Sequence, residues 1–149
     1  MPLDGEYAPS TEQYVRDQVQ LYESSGGMQG TGADMGLQIV LMTSRGARSG
    51  KLRKTPVMRV EHGGLYAVVG SKAGADESPA WCENLRADPH VELRDGPVVS
   101  ERQARELAGE ERAEWWGRAV LSYPTYAEYQ ALTERQIPVF VLEPWQDRS

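Results

Sequence analysis

Five cations crowd into ten residues of an otherwise acidic chain. Residues 45–54 hold Arg45, Arg48, Lys51, Arg53 and Lys54 with no acid among them, in a 149-residue sequence with 16 Lys+Arg and 22 Asp+Glu. The rest of the chain carries 11 cations against 22 acids. Arginine grips phosphate or carboxylate through two parallel hydrogen bonds, and lysine adds a point charge. Gly46 and Gly50 let backbone N–H groups approach a ligand closely. Taken alone, the stretch reads equally as a site for a multiply charged anion or as a solvated turn.

Three further stretches bear on the choice. GSKAG, residues 70–74, again sets a cation, Lys72, among small residues. SPAWCENL, residues 78–85, spaces Trp81 and Asn84 three apart, on one face of a helix. An aromatic beside an amide suits a planar ring rich in heteroatoms, although singly Trp81 also reads as core and Asn84 as a backbone cap. YPTYAEYQ, residues 123–130, spaces Tyr123, Tyr126 and Tyr129 as one helical aromatic stripe. No Ser-His-Asp or Cys-His arrangement is visible. His62, His90 and the single Cys82 make no metal-ligand spacing. Cys82 reads as a small packed hydrophobe, Trp115 and Trp116 as helix packing, His62 as an exposed turn residue and His90 as structural. Trp145 has no assignment.

The elements that position these residues follow from patterning. Residues 1–9 read as a loose tail. A helix opens at Ser10, Thr11 and Glu12 and stops at Gly26 and Gly27, with Tyr14, Leu21, Tyr22 and Val15 or Val19 as its apolar stripe. LQIVLMT, residues 37–43, is a strand buried on both faces, and the basic stretch follows it. Residues 55–61 and 65–70 form a hairpin around His62-Gly63-Gly64. Residues 79–87 form a helix capped by Ser78, with Pro79 at its first position and Asp88-Pro89 beyond its end. A second hairpin turns at Asp95-Gly96. Helices over 109–123 and 124–136 precede a last buried strand, IPVFVLEP. Five or six mostly antiparallel strands close most economically as a small barrel. The length fits one domain, and the acidic pI near 5.0 argues against general nucleic-acid binding while leaving room for a local anion site. The N-terminal MPLDGEYAPS has no apolar run and no basic segment, so the sequence predicts no signal peptide and a reducing, cytoplasmic setting.

LMTSRGARSGKLRKTPV, VVGSKAGADESPAWCENLRADPHVEL and YPTYAEYQALTERQIPVFVLEP together resemble the deazaflavin-dependent nitroreductase and quinone reductase family. The resemblance spans residues 36–144 in order. It implies an α+β fold, a mostly antiparallel FMN-binding-like split β-barrel with flanking helices, preceded by a tail and helix over 1–35 and followed by a short tail, 145–149. It implies an oxidoreductase passing hydride from reduced coenzyme F420 to a quinone or nitro-aromatic acceptor. The family uses its basic loop for the coenzyme's phosphate and glutamyl tail, which assigns Arg48, Ser49, Gly50 and Arg53, helped by Lys51 and Lys54. Pro56 begins the strand beneath the coenzyme. Val69, Gly70, Ser71 and Lys72 run beside the ring, and Ala80, Trp81 and Asn84 close the other side. Tyr123, Tyr126 and Tyr129 line the acceptor pocket, with Tyr126 and Ser71 as hydrogen-bonding groups for the reacting atoms.

The sequence departs from the family pattern at Ser78, where Asn is usual, and at Cys82, where an aromatic is usual. Met58 stands where some relatives carry a pocket tyrosine, which favours quinone over nitro acceptors. The family's acceptors are membrane quinones, yet Arg16 is the only base over residues 10–24, against Glu12, Asp17 and Glu23. This predicts no stable anchor and only transient contact at the inner membrane face. A non-catalytic F420 carrier and an FMN-dependent split-barrel reductase are the alternatives. FMN, with one phosphate, leaves five cations unexplained. Monomer and homodimer are both compatible with the sequence.

Overall fold

A computed structural model describes residues 3–146. Its seven strands are β1 (Ile39–Arg45), β2 (Leu52–Met58), β3 (Val60–His62), β4 (Leu65–Val69), β5 (His90–Asp95), β6 (Val98–Glu106) and β7 (Val139–Pro144). All pair antiparallel in one sheet of order β2-β1-β5-β6-β7-β4-β3. Four helices flank it: α1 (Gln13–Ser24), α2 (Ala80–Ala87), α3 (Gly109–Ser122) and α4 (Thr125–Ala131). The α+β, antiparallel expectation holds, with seven strands rather than five or six.

The extra strand comes from residues 52–62, where one strand was expected over 55–61. The run divides at Arg59. Before the break, Leu52 lies opposite Arg45 and Met58 opposite Ile39. After it, Val60 lies opposite Ala67. β2 and β3 are thus the two outer strands of the sheet, yet a single residue joins them, so the sheet curls until its edges meet at Arg59. Side chains lock that corner. Arg59 Nε donates to both Asp95 carboxylate oxygens at 3.1 and 2.9 Å, and the Tyr66 hydroxyl donates to the same group at 2.5 Å. One carboxylate therefore ties β5 and β4 to the corner.

Alternation along the strands builds two cores. Phe140 and Leu142 of β7 join Val40, Met42, Val68, Val91 and Leu93 beneath α2. Val139 and Val141 face the other way, against Trp115 and Ala119 of α3 and Tyr126 of α4. Cover on both faces explains why β7 is continuously apolar. β1 is similarly enclosed: Leu41 turns away from Val40 and Met42 to meet Val19 and Tyr22 of α1.

Several local expectations are corrected. The apolar face of α1 is Val15, Val19 and Tyr22, while Tyr14 and Leu21 are exposed. The tail is not loose throughout, because Leu52 N–H donates to Glu6 O at 2.7 Å and Ala8 N–H to Leu52 O at 2.9 Å, extending the outer edge of β2. Ser78 does not cap α2. Pro79 stands at the cap position, and Ser78 Oγ accepts from Arg135 at 3.0 Å. The helix expected over 124–136 ends at Ala131. Trp145 stacks on His90 with ring centroids 4.1 Å apart, which gives both a structural place.

Candidate active site

The basic loop is the β1–β2 connection, and it is tied down from several directions. Gly46 N–H donates to Lys51 O at 2.7 Å, and Gly50 N–H to Gly46 O at 2.9 Å. Gly50 adopts φ +72°, which glycine reaches without strain. Ser49 Oγ accepts Lys51 N–H at 3.1 Å. From α2, Asn84 Oδ1 accepts Ala47 N–H at 2.9 Å. Asn84 is buried but lies outside the lining of the neighbouring cleft. It therefore holds the loop, where the sequence placed it against a ring.

Three of the five cations are already engaged. Arg45 donates to Gly50 O at 2.9 Å and Asp4 O at 2.7 Å, with Asp88 at 3.4 Å. Lys51 sits 3.6 Å from Glu6. Lys54 pairs with Glu23 of α1 at 2.6 Å and lies 4.5 Å over the Tyr7 ring. Arg48 and Arg53 have no hydrogen bond or ion pair among the described residues. Arg53 lines the cleft, whereas Arg48 projects from the exposed loop beyond its lining. Apart from Gly50, the partners of the other three come from the tail, α1 and the end of α2, all remote in sequence.

The cleft itself has a volume of about 590 Å³. β2 gives it a floor of Thr55, Pro56, Val57 and Met58, with Arg53 and Lys54 at one end. Pro56 fits because β2 is an outer strand, where a missing N–H costs no ladder bond. Trp81 and Ala80 of α2 form one wall, next to Val69 at the end of β4 and Ser71 two residues beyond it. Tyr123, with Tyr126 and Tyr129 of α4, lines the cleft too. Tyr126 packs edge-on to Tyr123 and Tyr129, at centroid distances of 5.1 and 6.4 Å. Burial pushes its hydroxyl far above the ordinary phenol range, so it stays protonated and keeps its O–H available as a hydrogen-bond donor.

Gly70 is buried beneath this surface. A Cβ there would meet Cys82 Sγ at 2.5 Å, so close packing on α2 requires glycine. Gly70 does not itself border the cleft. Lys72 does, but its ammonium pairs with Glu77 at 2.8 Å, holding that carboxyl below its ordinary range. Cys82 is buried, and desolvation pushes its thiol up to about 11.

Sequence reasoning missed one wall. Glu12, just before α1, and Tyr14, Val15 and Gln18 within it border the cleft. Only two of twelve helical residues, Val19 and Tyr22, are buried. A helix with so narrow a packed face has other faces to lend to a site, and that was the available signal.

The residues brought together can bind an anion at the Arg53 end, sandwich a flat apolar ring between Trp81 and the β2 floor, and donate hydrogen bonds from Tyr126 and Ser71. No group of three metal-ligating side chains is present among the described residues.

Residues 14–144 match the profile of the family described as F420H(2)-dependent quinone reductase. An F420H(2)-dependent quinone reductase of Mycobacterium tuberculosis (strain ATCC 25618 / H37Rv) is 32% identical over 106 residues, covering 69% of this chain and 71% of the relative. A solved structure described as an F420-H2 dependent reductase is 55% identical, with a TM-score of 0.68 over 70% of this chain and 93% of that one. A second, described as a domain-swapped dimer, is 46% identical, with a TM-score of 0.70 over 90% of this chain and all of that one, 100%.

Proposed function

The chain belongs to the F420H(2)-dependent quinone reductase family, and from that premise we infer that its cleft is where hydride passes from reduced coenzyme F420 to a quinone. The observation that carries this reading is the Arg53 guanidinium, without a hydrogen bond or ion pair among the described residues, at one end of a cleft lined farther in by Pro56, Met58, Val69, Trp81 and three tyrosines, with Arg48 equally unengaged on the adjoining loop. A coenzyme with a multiply ionised tail and a flat ring fits that division. Arg48 and Arg53 would take the anionic tail through charge-assisted hydrogen bonds, with Ser49 and Gly50 shaping the loop and Lys51 and Lys54 adding field. Pro56, Val69, Ala80 and Trp81 would enclose the ring and exclude water.

When bound in reduced form, the coenzyme supplies a hydride, and that reactivity is its own. The chain's part is alignment and electrostatics. Tyr126, protonated and buried, would donate to an acceptor oxygen as negative charge develops there. Ser71 would offer a second donor from the loop that packs beside α4. Tyr123, Tyr129 and Met58 complete an aromatic and apolar acceptor wall, which suits a quinone. Nitro-aromatic reduction is a finer proposal, tested on the same assay.

The deciding experiment titrates the protein with F420 and with FMN in parallel, then adds menadione to the reduced-F420 complex. Tight F420 binding with oxidation on menadione addition supports the reading. Binding without turnover against a panel of quinones would leave a carrier, and preference for FMN would leave a flavin enzyme. Similarity to a solved domain-swapped dimer supports a homodimer, which light scattering tests directly. No helix among the described residues is long and apolar enough to cross a membrane. Exposed Tyr14 and Leu21 on α1 support transient contact with a bilayer, measurable by vesicle sedimentation.

A further inference from the structure

Ser71 sits on a backbone that would not hold its shape unaided. After it, Lys72, Ala73 and Gly74 follow one another with φ of +45°, +53° and +82°. The first two carry side chains, which disfavour the left-handed region. The turn also aims the carbonyls of Gly70, Ser71 and Ala75 toward one point.

A single guanidinium, that of Arg135, occupies that point. Its Nε donates to Ala75 O at 2.8 Å and its Nη1 to Ser78 Oγ at 3.0 Å. Its Nη2 spans Gly70 O at 3.2 Å and Ser71 O at 3.0 Å. All four bonds go to residues 70–78. Next to it, Thr133 Oγ1 donates to Asp76 at 3.0 Å. The backbone around Arg135 is in turn fixed from α4. Gln130 Nε2 donates to Arg135 O at 2.7 Å, and Gln130 Oε1 accepts Ile137 N–H at 3.0 Å. Gln130 directly follows Tyr129. A Cβ at Gly74 would come within 2.9 Å of Tyr129 O, so loop and helix are in close contact as well.

We propose that Arg135 is a positioning residue: its guanidinium locks the Ser71 loop to the tyrosine helix and so sets the separation of the two hydrogen-bonding walls of the cleft. Arg135 itself does not border the cleft and touches nothing that reacts. It acts through Ser71 and, by way of Gln130, through the helix that carries Tyr126 and Tyr129. Arginine is required because three nitrogens of one planar group feed four acceptors, and a lysine ammonium offers a single nitrogen. The inference rests on the reading of the cleft as the meeting place of coenzyme and acceptor.

The test compares wild type, Arg135→Lys and Arg135→Ala. Hydrogen exchange is measured first on the free protein. Gly74 N–H donates to Ser71 O and Ala75 N–H to Lys72 O, so these two amides report the loop. Both variants are expected to speed their exchange about ten-fold or more, with the amides of β4 and β7 unchanged. Turnover with reduced F420 and menadione should fall by about the same factor, while F420 affinity, held at the Arg53 end, stays as in wild type. Added guanidinium should restore part of the turnover of Arg135→Ala. Unchanged exchange at Gly74 and Ala75, equal acceleration in the core strands, or equal losses of turnover and affinity would each overturn the proposal. If Arg135→Ala does not fold, Arg135→Lys decides by the same measurements. Exchange is read without ligand, so a wild type that fails to oxidise reduced F420 defeats the functional reading while the clamp is still judged on its own.

Discussion

The Asn84 side chain accepts the backbone N–H of Ala47 at 2.9 Å, joining the helix that walls the cleft to the loop that carries its cations. Truncating Asn84 removes this partly buried hydrogen bond and leaves the N–H of Ala47, an exposed loop residue, to water. Asn84→Ala should therefore cost about 0.5–1.5 kcal/mol in urea unfolding and weaken F420 binding by loosening the loop. Asn84→Asp retains an acceptor and should retain most of both. Equal behaviour of the two variants would show that the hydrogen bond does not hold the loop.

Arg53 borders the cleft and Arg48 does not, although neither makes a hydrogen bond or ion pair among the described residues. Arg53→Ala should weaken F420 binding by about 1–3 kcal/mol, and Arg48→Ala by less. Fluorescence titration at low and high salt checks this, and wild-type affinity should fall with ionic strength while each variant falls less steeply. Normal binding by both variants would detach the loop from the coenzyme.

Tyr126→Phe keeps the ring packing and removes one proton donor. Turnover should fall more than F420 affinity. The same substitution has a signature in stability. Burial raises the Tyr126 pKa above the ordinary 10.0, so the folded state holds this proton more tightly than the unfolded chain. That contribution is complete below pH 10 and is lost as pH rises toward the folded value, at up to about 1.4 kcal/mol per pH unit. Thermal melts from pH 8 to 11, on the order of the phenol range, should show a shallower decline for Tyr126→Phe than for wild type.

Gly70 and Cys82 share one small space. Gly70→Ala would push a methyl to within 2.5 Å of Cys82 Sγ, at a cost of about 1–3 kcal/mol. Cys82→Ala in the same chain should recover part of that loss, giving a measurable coupling in a double-mutant cycle. Additive effects would mean the two do not touch. The Cys82 thiol, buried and raised to about 11, should react with iodoacetamide only on unfolding.

The local signals of the sequence identified much of this molecule. The uninterrupted apolar runs of β1 and β7 announced strands covered on both sides. Asp95-Gly96 marked a hairpin, and the spacing of Tyr123, Tyr126 and Tyr129 gave one face of a helix that does border the cleft. The cation-rich loop between two strands was visible from composition alone. These features depend on neighbours a few residues apart, where backbone geometry fixes which side chains meet.

What the tertiary structure alone decided was partnership. By composition the five cations were alike, and only the family resemblance singled out Arg48 and Arg53; in the fold Asp4, Glu6, Glu23 and Asp88 engage Arg45, Lys51 and Lys54 and leave Arg48 and Arg53 without a hydrogen bond or ion pair among the described residues. Trp81 and Asn84 share a short helix, yet one faces the cleft and the other faces the loop. α1 became a wall of the site because its position over β2 depends on Val19 and Tyr22 reaching Leu41. The single strand expected over 55–61 became two because its halves serve opposite edges of a sheet that has to close. Ion pairs, strand pairing and helix docking join residues distant in the chain, and their energies depend on burial and distance, which exist only once the chain has folded.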